Sequence, residues 1–302
     1  MRFGAVMTKT PAGTREWRDR VRRVDDLGFD VLLLPDHLGM MSPFPPLTSA
    51  AAVSDRLRLG VQVCNVCLWN PAMLARDAAT VDLLSDGRLE LGLGAGHAQQ
   101  EFLAAGIAYE RPGRRIDMLE AMVPVLRDLL AGRTVTVSRP LPMTSCTLGL
   151  PQAQASVPIM VGGNGDRVLQ IAATLADIVG LTGFTSGTGR VHTDLSHFTW
   201  AGLVDRVDHV RDAAGSRFAA LELSVLVQRV MLSADRRGAI AEFVGDEPLP
   251  LDVVGDSPFV LAGTADHVAE QLARLRDQHG VTYVTTFEPS VGALAEAMAR
   301  VR

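Results

Sequence analysis

The chain has 302 residues, a formal net charge of −5 and a hydrophobic fraction of 47 %. This mildly acidic balance argues against a nucleic-acid-binding surface, and no apolar stretch approaches the roughly 18 residues that a membrane span requires. Three cysteines are too few, and an odd number, for a disulfide framework. We therefore expect a soluble cytoplasmic protein with free thiols and with neither nucleic acid nor a membrane as partner.

Apolar runs, turn residues and helical periodicity predict strands alternating with helices along the chain. A short strand at 2–7 comes first, and helix 14–27 ends at Gly28, which suits a C-terminal cap. The next strand, 29–35, is almost wholly apolar. Further strands are predicted at 57–64, 88–94, 157–163, 176–181, 221–232 and 281–287, and helices at 47–55, 71–87, 114–131, 166–175, 201–215, 264–279 and 291–301.

Eight strands alternating with helices predict an α/β protein with a parallel sheet and right-handed crossovers. At this length a closed (β/α)8 TIM barrel is favoured, and an open doubly wound sheet is the alternative. We predict one domain over 1–302, with insertion segments at 182–200 and 233–258. In a barrel, functional residues follow the carboxyl ends of the strands.

A histidine follows the second predicted strand, in the stretch Pro-Asp-His-Leu-Gly at 35–39. At the end of a barrel strand, His37 could donate or accept a proton near neutral pH. A solvent-facing loop histidine is the alternative. Asp36, directly before it, could position the ring or cap the following turn.

Two cysteines follow the third strand, in Cys-Asn-Val-Cys at 64–67. A zinc site needs about four ligands, and neither Cys146 nor the scattered histidines supply a second pair at suitable spacing. A redox motif of this kind would open a helix in a much smaller fold. We therefore interpret Cys64 and Cys67 as small buried thiols and predict no metal site.

Three glycines follow the fifth strand, just before a helix, in VGGNGDRVLQIA at 161–172. Uncovered backbone N–H groups and the partial positive charge of a helix N-terminus suit a phosphate. An ordinary glycine turn is the alternative, and the spacing differs from the G-x-G-x-x-G dinucleotide fingerprint. The chain has no G-x-x-x-x-G-K-[ST] and no G-x-S-x-G, which argues against a P-loop protein and an α/β-hydrolase.

Five stretches of the chain, in this order, carry a family resemblance. They are LGFDVLLLPDHLG, LRLGVQVCNVCLWNPAMLARDAATVDLLSDGRLELGLGAGH, RPGRRIDMLEAMVPVLRDL, VPIMVGGNGDRVLQIAATLADIVGL and SPFVLAGTADHVAEQLARLRDQHGVTYVTTF. Together they resemble the bacterial luciferase-like family of flavin and deazaflavin oxidoreductases, most closely its actinobacterial members that use coenzyme F420. The resemblance implies a barrel with the cofactor in its C-terminal mouth.

The resemblance also implies roles for individual residues. His37 matches the histidine that faces the reactive ring carbon in many deazaflavin-using members. The stretch 64–66 matches a bulge behind the ring, where the family often has a non-prolyl cis peptide, and 162–164 matches the loop that binds the cofactor phosphate. The cofactor-binding residues implied in this way are His37, Cys64, Asn65, Val66, Gly94, Gly162, Gly163 and Asn164.

The run DGRLELGLGAGH, at 86–97, ends the fourth strand in glycines and a histidine. Alternation puts Glu90, Gly92 and Gly94 on one face; if that face points inward, the missing side chains would make room for a flat ring. His97 stands where some sugar-phosphate-oxidising relatives have an acidic glutamate, which argues against a sugar phosphate substrate.

These residues predict an F420-dependent oxidoreductase that transfers a hydride between the deazaflavin and a small organic substrate. His37 or His97 would handle the coupled proton, so both are predicted catalytic residues. The alternatives are an FMN-dependent luciferase-like monooxygenase and a non-catalytic flavin-binding barrel.

Two further expectations concern the surface of the barrel. Substrate selectivity is expected from the segment 182–200, where His192 and His197 could line the pocket or stay solvated. A homodimer is expected through the apolar helix 72–84, although contact with the core would explain its apolar stripe equally well.

Overall fold

The computed structural model describes residues 1–139, 141–183, 195–245 and 250–301. The strands are β1 (Arg2–Val6), β2 (Val31–Leu34), β3 (Arg58–Asn65), β4 (Leu89–Gly94), β5 (Val135–Val137), β6 (Met143–Cys146), β7 (Ile159–Gly162), β8 (Ile178–Leu181), β9 (Glu222–Val227), β10 (Arg229–Leu232), β11 (Val260–Gly263) and β12 (Val281–Phe287). The helices are α1 (Thr14–Asp26), α2 (Phe44–Ala51), α3 (Pro71–Leu84), α4 (Gln99–Ala104), α5 (Pro112–Leu130), α6 (Asp166–Leu175), α7 (Trp200–Ala214), α8 (Arg236–Val244), α9 (Leu251–Gly255), α10 (Ala265–His279) and α11 (Val291–Val301). Within these residues, no helix combines the length and apolar character needed to cross a bilayer.

Eight parallel strands close into a barrel in the order β1-β2-β3-β4-β7-β8-β9-β12, and β12 pairs with β1. This confirms the predicted (β/α)8 barrel over the open sheet. Successive side chains of a strand point to opposite faces of the sheet, here toward the helices and toward the inside of the barrel. Phe3 and Leu32 pack outward into the main core with the helices, whereas Val31, Leu33 and Tyr283 belong to a smaller cluster inside the barrel.

A charged cluster lies at the amino-terminal end of the barrel. Glu90 Oε1 accepts hydrogen bonds from Arg2 at 2.5 Å and from Arg58 at 2.6 Å. Arg2 also pairs with Glu222, and its guanidinium lies 4.3 Å from the centre of the Tyr283 ring. The inward position of Glu90 agrees with the face predicted for it, and the cluster closes this end of the barrel.

The predicted strand 221–232 is two strands. β9 stays in the barrel as far as Val227, and after Gln228 the chain leaves it as β10, which pairs in parallel with β11. The Gln228 N–H donates to the Phe259 carbonyl at 2.7 Å and so starts the second pairing. A continuous apolar run indicates strand character without showing where the partner strand changes.

The two predicted insertion segments are described in part. Of the segment 233–258, the residues 246–249 lie outside the described part of the chain, and the described residues include the two helices α8 and α9. Of the segment 182–200, the residues 184–194, with His192, lie outside it as well. Leu195–His197 forms a single turn of 3₁₀ helix before α7.

The apolar stripe of α3 faces the interior of the protein. Leu74, Ala78 and Val81 are buried in the main core. Contact with the core is therefore enough to explain the stripe, and the expected homodimer stays a prediction.

Candidate functional site

The two predicted catalytic histidines lie together at the carboxyl end of the barrel. His37 follows β2 and His97 follows β4, so one strand, β3, separates them in the barrel wall. Their ring centres are 5.7 Å apart and the rings meet edge to face, at 83°. Two groups that can exchange protons near neutral pH thus share one mouth of the barrel.

A carboxylate that the sequence analysis did not assign completes this pair. Glu101, on α4, places Oε1 at 2.7 Å from Nδ1 of His37. Its second oxygen accepts from the Leu38 backbone N–H at 3.4 Å. Glu101 follows His97 by four residues in sequence, on a helix of only six residues that no periodic pattern reveals.

The pKa of His97 lies below its usual value. Burial of the ring is the largest cause, the positive charges of His37 and Arg115 act in the same direction, and Glu101 opposes them. Much of the surface of His97 is nevertheless exposed to solvent. The charged form of its ring is therefore disfavoured by the atoms that pack against part of the ring, although the ring is not enclosed. His97 is accordingly a neutral imidazole over more of the physiological pH range than a free histidine.

The loop that carries His97 is held from behind by α5 and by the segment before it. Arg115 donates through Nε to the Gly96 carbonyl at 3.2 Å and through another guanidinium nitrogen to the Glu110 carbonyl. The same guanidinium lies 4.2 Å from the ring centre of Tyr109, whose hydroxyl donates to the His97 carbonyl at 3.1 Å. The guanidinium of Arg115 is therefore bound by backbone carbonyls and by the Tyr109 ring.

Asp36 ties the loops after β2 and β3 together. One oxygen, Oδ2, accepts from the Trp69 indole at 2.8 Å and from the Asn65 backbone N–H at 3.1 Å. The Asn65 side chain in turn lies under Gly96, where a Cβ would overlap it and where φ is +71°. Only glycine combines that backbone angle with this close approach, so Gly96 lets the loop after β4 rest on Asn65.

The carboxyl group of Asp36 gives a testable pH dependence. Burial raises its pKa, and the hydrogen bonds from Trp69 and Asn65 oppose that rise. Because the folded state then binds the proton more tightly than the unfolded chain, the stability contributed by Asp36 falls as the pH rises from about 4 through the native pKa. At pH 7 the ionised group therefore lowers the stability of the fold.

We expect Asp36→Asn to be at least as stable as the wild type at pH 7, because one amide oxygen can accept both hydrogen bonds without a buried charge. Asp36→Ala is expected to lose about 2 kcal/mol, because the Trp69 indole and the Asn65 backbone N–H, both in part-buried hydrogen bonds, lose their acceptor. Urea unfolding at pH 7 measures both changes. An alanine variant as stable as the asparagine variant would contradict this role of Asp36.

The bulge of β3 lies earlier than the resemblance implied. The register between β3 and β4 shifts between Val61 and Cys64, and the cis peptide bond joins Gln62 and Val63. The Val63 side chain points into the barrel: a Cβ on Gly94 would come within 2.6 Å of it. The Val63 side chain therefore lies beside the face of β4 on which Gly92 and Gly94 lack side chains. That these glycines make room for a flat ring stays a prediction.

The side chains of Cys64 and Val66 do not face the mouth. Both are fully buried in the main core. Burial raises the pKa of Cys64 well above its usual value and that of Cys67 to about 11. All three cysteines are free, as predicted. The thiols of Cys64 and Cys67 stay protonated at neutral pH.

The glycine loop after β7 leads directly into α6. Its N-cap residue, Gly165, provides no side chain to cap the helix, so among the described residues no side chain caps the first backbone donors of α6. Asn164 is 3 % exposed, yet neither its amide oxygen nor its amide nitrogen has a hydrogen-bond partner among the described residues. Buried amides are normally paired, so this one is available to a ligand.

A buried cation supports the same loop. Arg206, on α7, donates to the Asn164 carbonyl at 3.4 Å and pairs with Asp166 at 2.5 Å and Asp205 at 2.5 Å. Hydrogen bonding to Arg206 is the largest cause lowering the pKa of Asp166. The negative charge in the first turn of α6 is therefore balanced, which keeps the helix N-terminus suited to an anion.

Known proteins resemble this chain in sequence and in fold. Residues 1–242 match the model of the luciferase-like monooxygenase family. An F420-dependent glucose-6-phosphate dehydrogenase of Nakamurella multipartita is 26 % identical over 251 residues, which are 80 % of this chain and 71 % of that protein.

A 5,10-methylenetetrahydromethanopterin reductase of Archaeoglobus fulgidus is 34 % identical over 158 residues, 52 % of this chain and 46 % of that protein. The chain therefore spans about half the length of this relative. Among solved structures, an F420-dependent secondary alcohol dehydrogenase in complex with an F420-acetone adduct has a TM-score of 0.80 at 16 % identity, over 100 % of this chain and 99 % of that one. This likeness shows a shared fold.

The family match covers most of the chain, including the strands that carry both histidines and the glycine loop. It confirms the resemblance found in the sequence. The chain belongs to the luciferase-like monooxygenase family.

Proposed function

We propose that the chain is an F420-dependent oxidoreductase that transfers a hydride between the deazaflavin and a small organic substrate. The observation that carries this proposal is that the imidazoles of His37 and His97 contact each other at the carboxyl end of the barrel. The glycine loop after β7, with the unpaired amide of Asn164, lies at the same end. Two sequence relatives, a reductase and an F420-dependent dehydrogenase, and one structural neighbour, an F420-dependent alcohol dehydrogenase, support the cofactor class or the redox chemistry. When bound, the deazaflavin supplies the hydride chemistry.

The residues present fit an anionic cofactor. The uncapped N-terminus of α6 and the unpaired amide of Asn164 are the donors that would hold a phosphate. The backbone N–H of Gly163 already donates to the Gly180 carbonyl at 3.0 Å, so Gly163, beside Gly162, would line the loop without donating to the phosphate. Val63, which projects from the wall of the barrel, would support the ring. Asn65 would contribute through its position between Asp36 and Gly96.

The two histidines then divide the proton chemistry between them. His37 is 35 % exposed at its side chain and paired with a carboxylate, so it can carry the proton that accompanies hydride transfer. His97, with its lowered pKa, serves as a neutral hydrogen-bonding group beside it.

Titration of the purified apoprotein with F420 and, separately, with FMN tests the cofactor. We expect tight binding of F420, followed by turnover in a panel of ketones, enones, imines and alcohols. Binding of FMN without F420 would favour the FMN-dependent monooxygenase, which the family description also supports. F420 binding without turnover of any panel member would favour the non-catalytic barrel. Full turnover by His37→Ala would remove His37 from the mechanism.

Asn164→Ala separates ligand binding from folding. We expect F420 affinity to fall about 10-fold, equivalent to about 1.4 kcal/mol, because a donor to the phosphate is lost. Stability should not fall, because the amide makes no hydrogen bond within the described protein.

Asn70→Ala is the matched control for that variant. Asn70 caps α3 by accepting from the backbone of Ala72 and Met73. Its loss is expected to cost about 1 kcal/mol of stability and to leave F420 affinity unchanged. Equal F420 affinity in the wild type and in Asn164→Ala would contradict the proposed phosphate site.

A further inference from the structure

The contact between Glu101 and His37 defines where a proton must sit. An ionised carboxylate can only accept hydrogen bonds, so Nδ1 of His37, 2.7 Å from Oε1, carries the hydrogen. The other carboxylate oxygen accepts from the backbone N–H of Leu38, the next residue. Glu101 thus fixes both the ring and the backbone that carries it.

The other charged and titratable groups near His37 make no hydrogen bond to its ring among the described residues. Asp36 uses Oδ2 for Trp69 and Asn65. His97 meets the ring of His37 edge to face, at 5.7 Å, without a hydrogen bond between them. Arg115, from α5, binds backbone carbonyls behind the His97 loop. Glu101 is therefore the carboxylate that contacts the His37 ring.

We propose that Glu101 is a positioning residue of the reaction, which holds the proton on Nδ1 of His37 so that Nε2 is the atom that exchanges a proton with the substrate. The inference rests on the proposed function only in placing His37 next to the substrate. In the oxidative direction an O–H or N–H bond of the substrate breaks and an Nε2–H bond forms, while the hydride released when the adjacent C–H bond breaks would pass to the oxidised deazaflavin of the proposed function. The carboxylate then balances the charge of the imidazolium.

This arrangement also separates the roles of the two histidines. A carboxylate contacts the ring of His37, whereas the surroundings of His97 disfavour the charged form of its ring. His37 therefore cycles between neutral and charged forms, and His97 stays neutral and offers a hydrogen bond. A purely structural Glu101, linking α4 to the loop after β2, would not specify either role.

The tautomer of His37 can be read without any cofactor. Nuclear magnetic resonance of the full chain with ¹⁵N-labelled histidine, at alkaline pH where imidazoles are neutral, distinguishes Nδ1–H from Nε2–H. One ring of the seven histidines in the chain, assigned by its loss in His37→Gln, is expected to show Nδ1–H in the wild type. In Glu101→Ala the same ring should revert to Nε2–H, the form that an imidazole prefers in water.

Gln100→Ala, an exposed position on the same short helix, is the matched control and should keep the wild-type tautomer. In turnover, Glu101→Ala is expected to lower kcat roughly 10- to 100-fold, with KM and F420 affinity within about 2-fold. Glu101→Gln should lie between the two, because its amide oxygen can accept the Nδ1 proton but carries no charge.

An Nε2–H ring at His37 in the wild type overturns the proposal by itself, even if Glu101→Ala fails to fold. An unchanged tautomer in folded Glu101→Ala overturns it too, as does a loss confined to KM. These outcomes are distinct from failure of the proposed function, which would appear as absent F420 binding or as full turnover by His37→Ala.

Discussion

Replacing Glu90 with alanine is expected to lower the free energy of unfolding by about 3 kcal/mol. The Glu90 side chain is 4 % exposed and lies between the guanidinium groups of Arg2 and Arg58. Without it, the two cations face each other at the end of the barrel with Glu222 as the remaining carboxylate of the cluster. Tyr283 packs against Arg2, so the disturbance extends into the barrel interior.

Two variants separate charge from packing in that result. Glu90→Gln keeps the volume and one acceptor oxygen, and we expect it to lose less stability than Glu90→Ala. Glu296→Ala removes an exposed ion pair with Arg300, separated by 3.8 Å, and should change stability by less than about 0.5 kcal/mol. Urea unfolding at constant pH measures all three. A Glu90→Ala variant that behaves like Glu296→Ala would show that the buried cluster does not stabilise the barrel.

The fold could be predicted from the sequence because most barrel strands are short and largely apolar, and helices with a periodic pattern lie between them. Those local signals identify an element regardless of its partners. The break at Gln228 could not be predicted in this way, because β10 differs from β9 in its partner strand and not in composition. The pairing of β10 with β11 depends on tertiary contacts, which a local sequence pattern does not contain.

The candidate site was predictable to the extent that it follows strand ends. His37, His97 and the loop 162–164 all come directly after apolar strands, where a barrel places its functional groups. Glu101 was missed because α4 is too short for a periodic signal and because its contact with His37 spans 64 residues of sequence. Val63 was missed because it looks like an ordinary strand residue, and only the shifted register between β3 and β4 reveals its inward position.

Substitution of the glycines of β4 is expected to lower the free energy of unfolding strongly. At Gly92 an added Cβ would overlap the backbone carbonyl oxygen of Val61, an atom that no side-chain rotation can move. At Gly94 the obstacle is instead a Val63 methyl group, 2.6 Å away. We therefore expect Gly92→Ala to lose about 3 kcal/mol or more, or to fail to fold, since the strand pair itself must shift.

Gly94→Ala is expected to lose less, about 1 to 2 kcal/mol, and to regain stability when combined with Val63→Ala, because truncation of that side chain removes the overlap. The same truncation should not rescue Gly92→Ala. Gly39→Ala, with no atom within 4 Å of an added Cβ, is the neutral control. Thermal and urea unfolding of the single and double variants gives the coupling energy. Equal rescue of both glycine variants by Val63→Ala would mean that Val63, and not the Val61 carbonyl, limits the space on this face of the barrel.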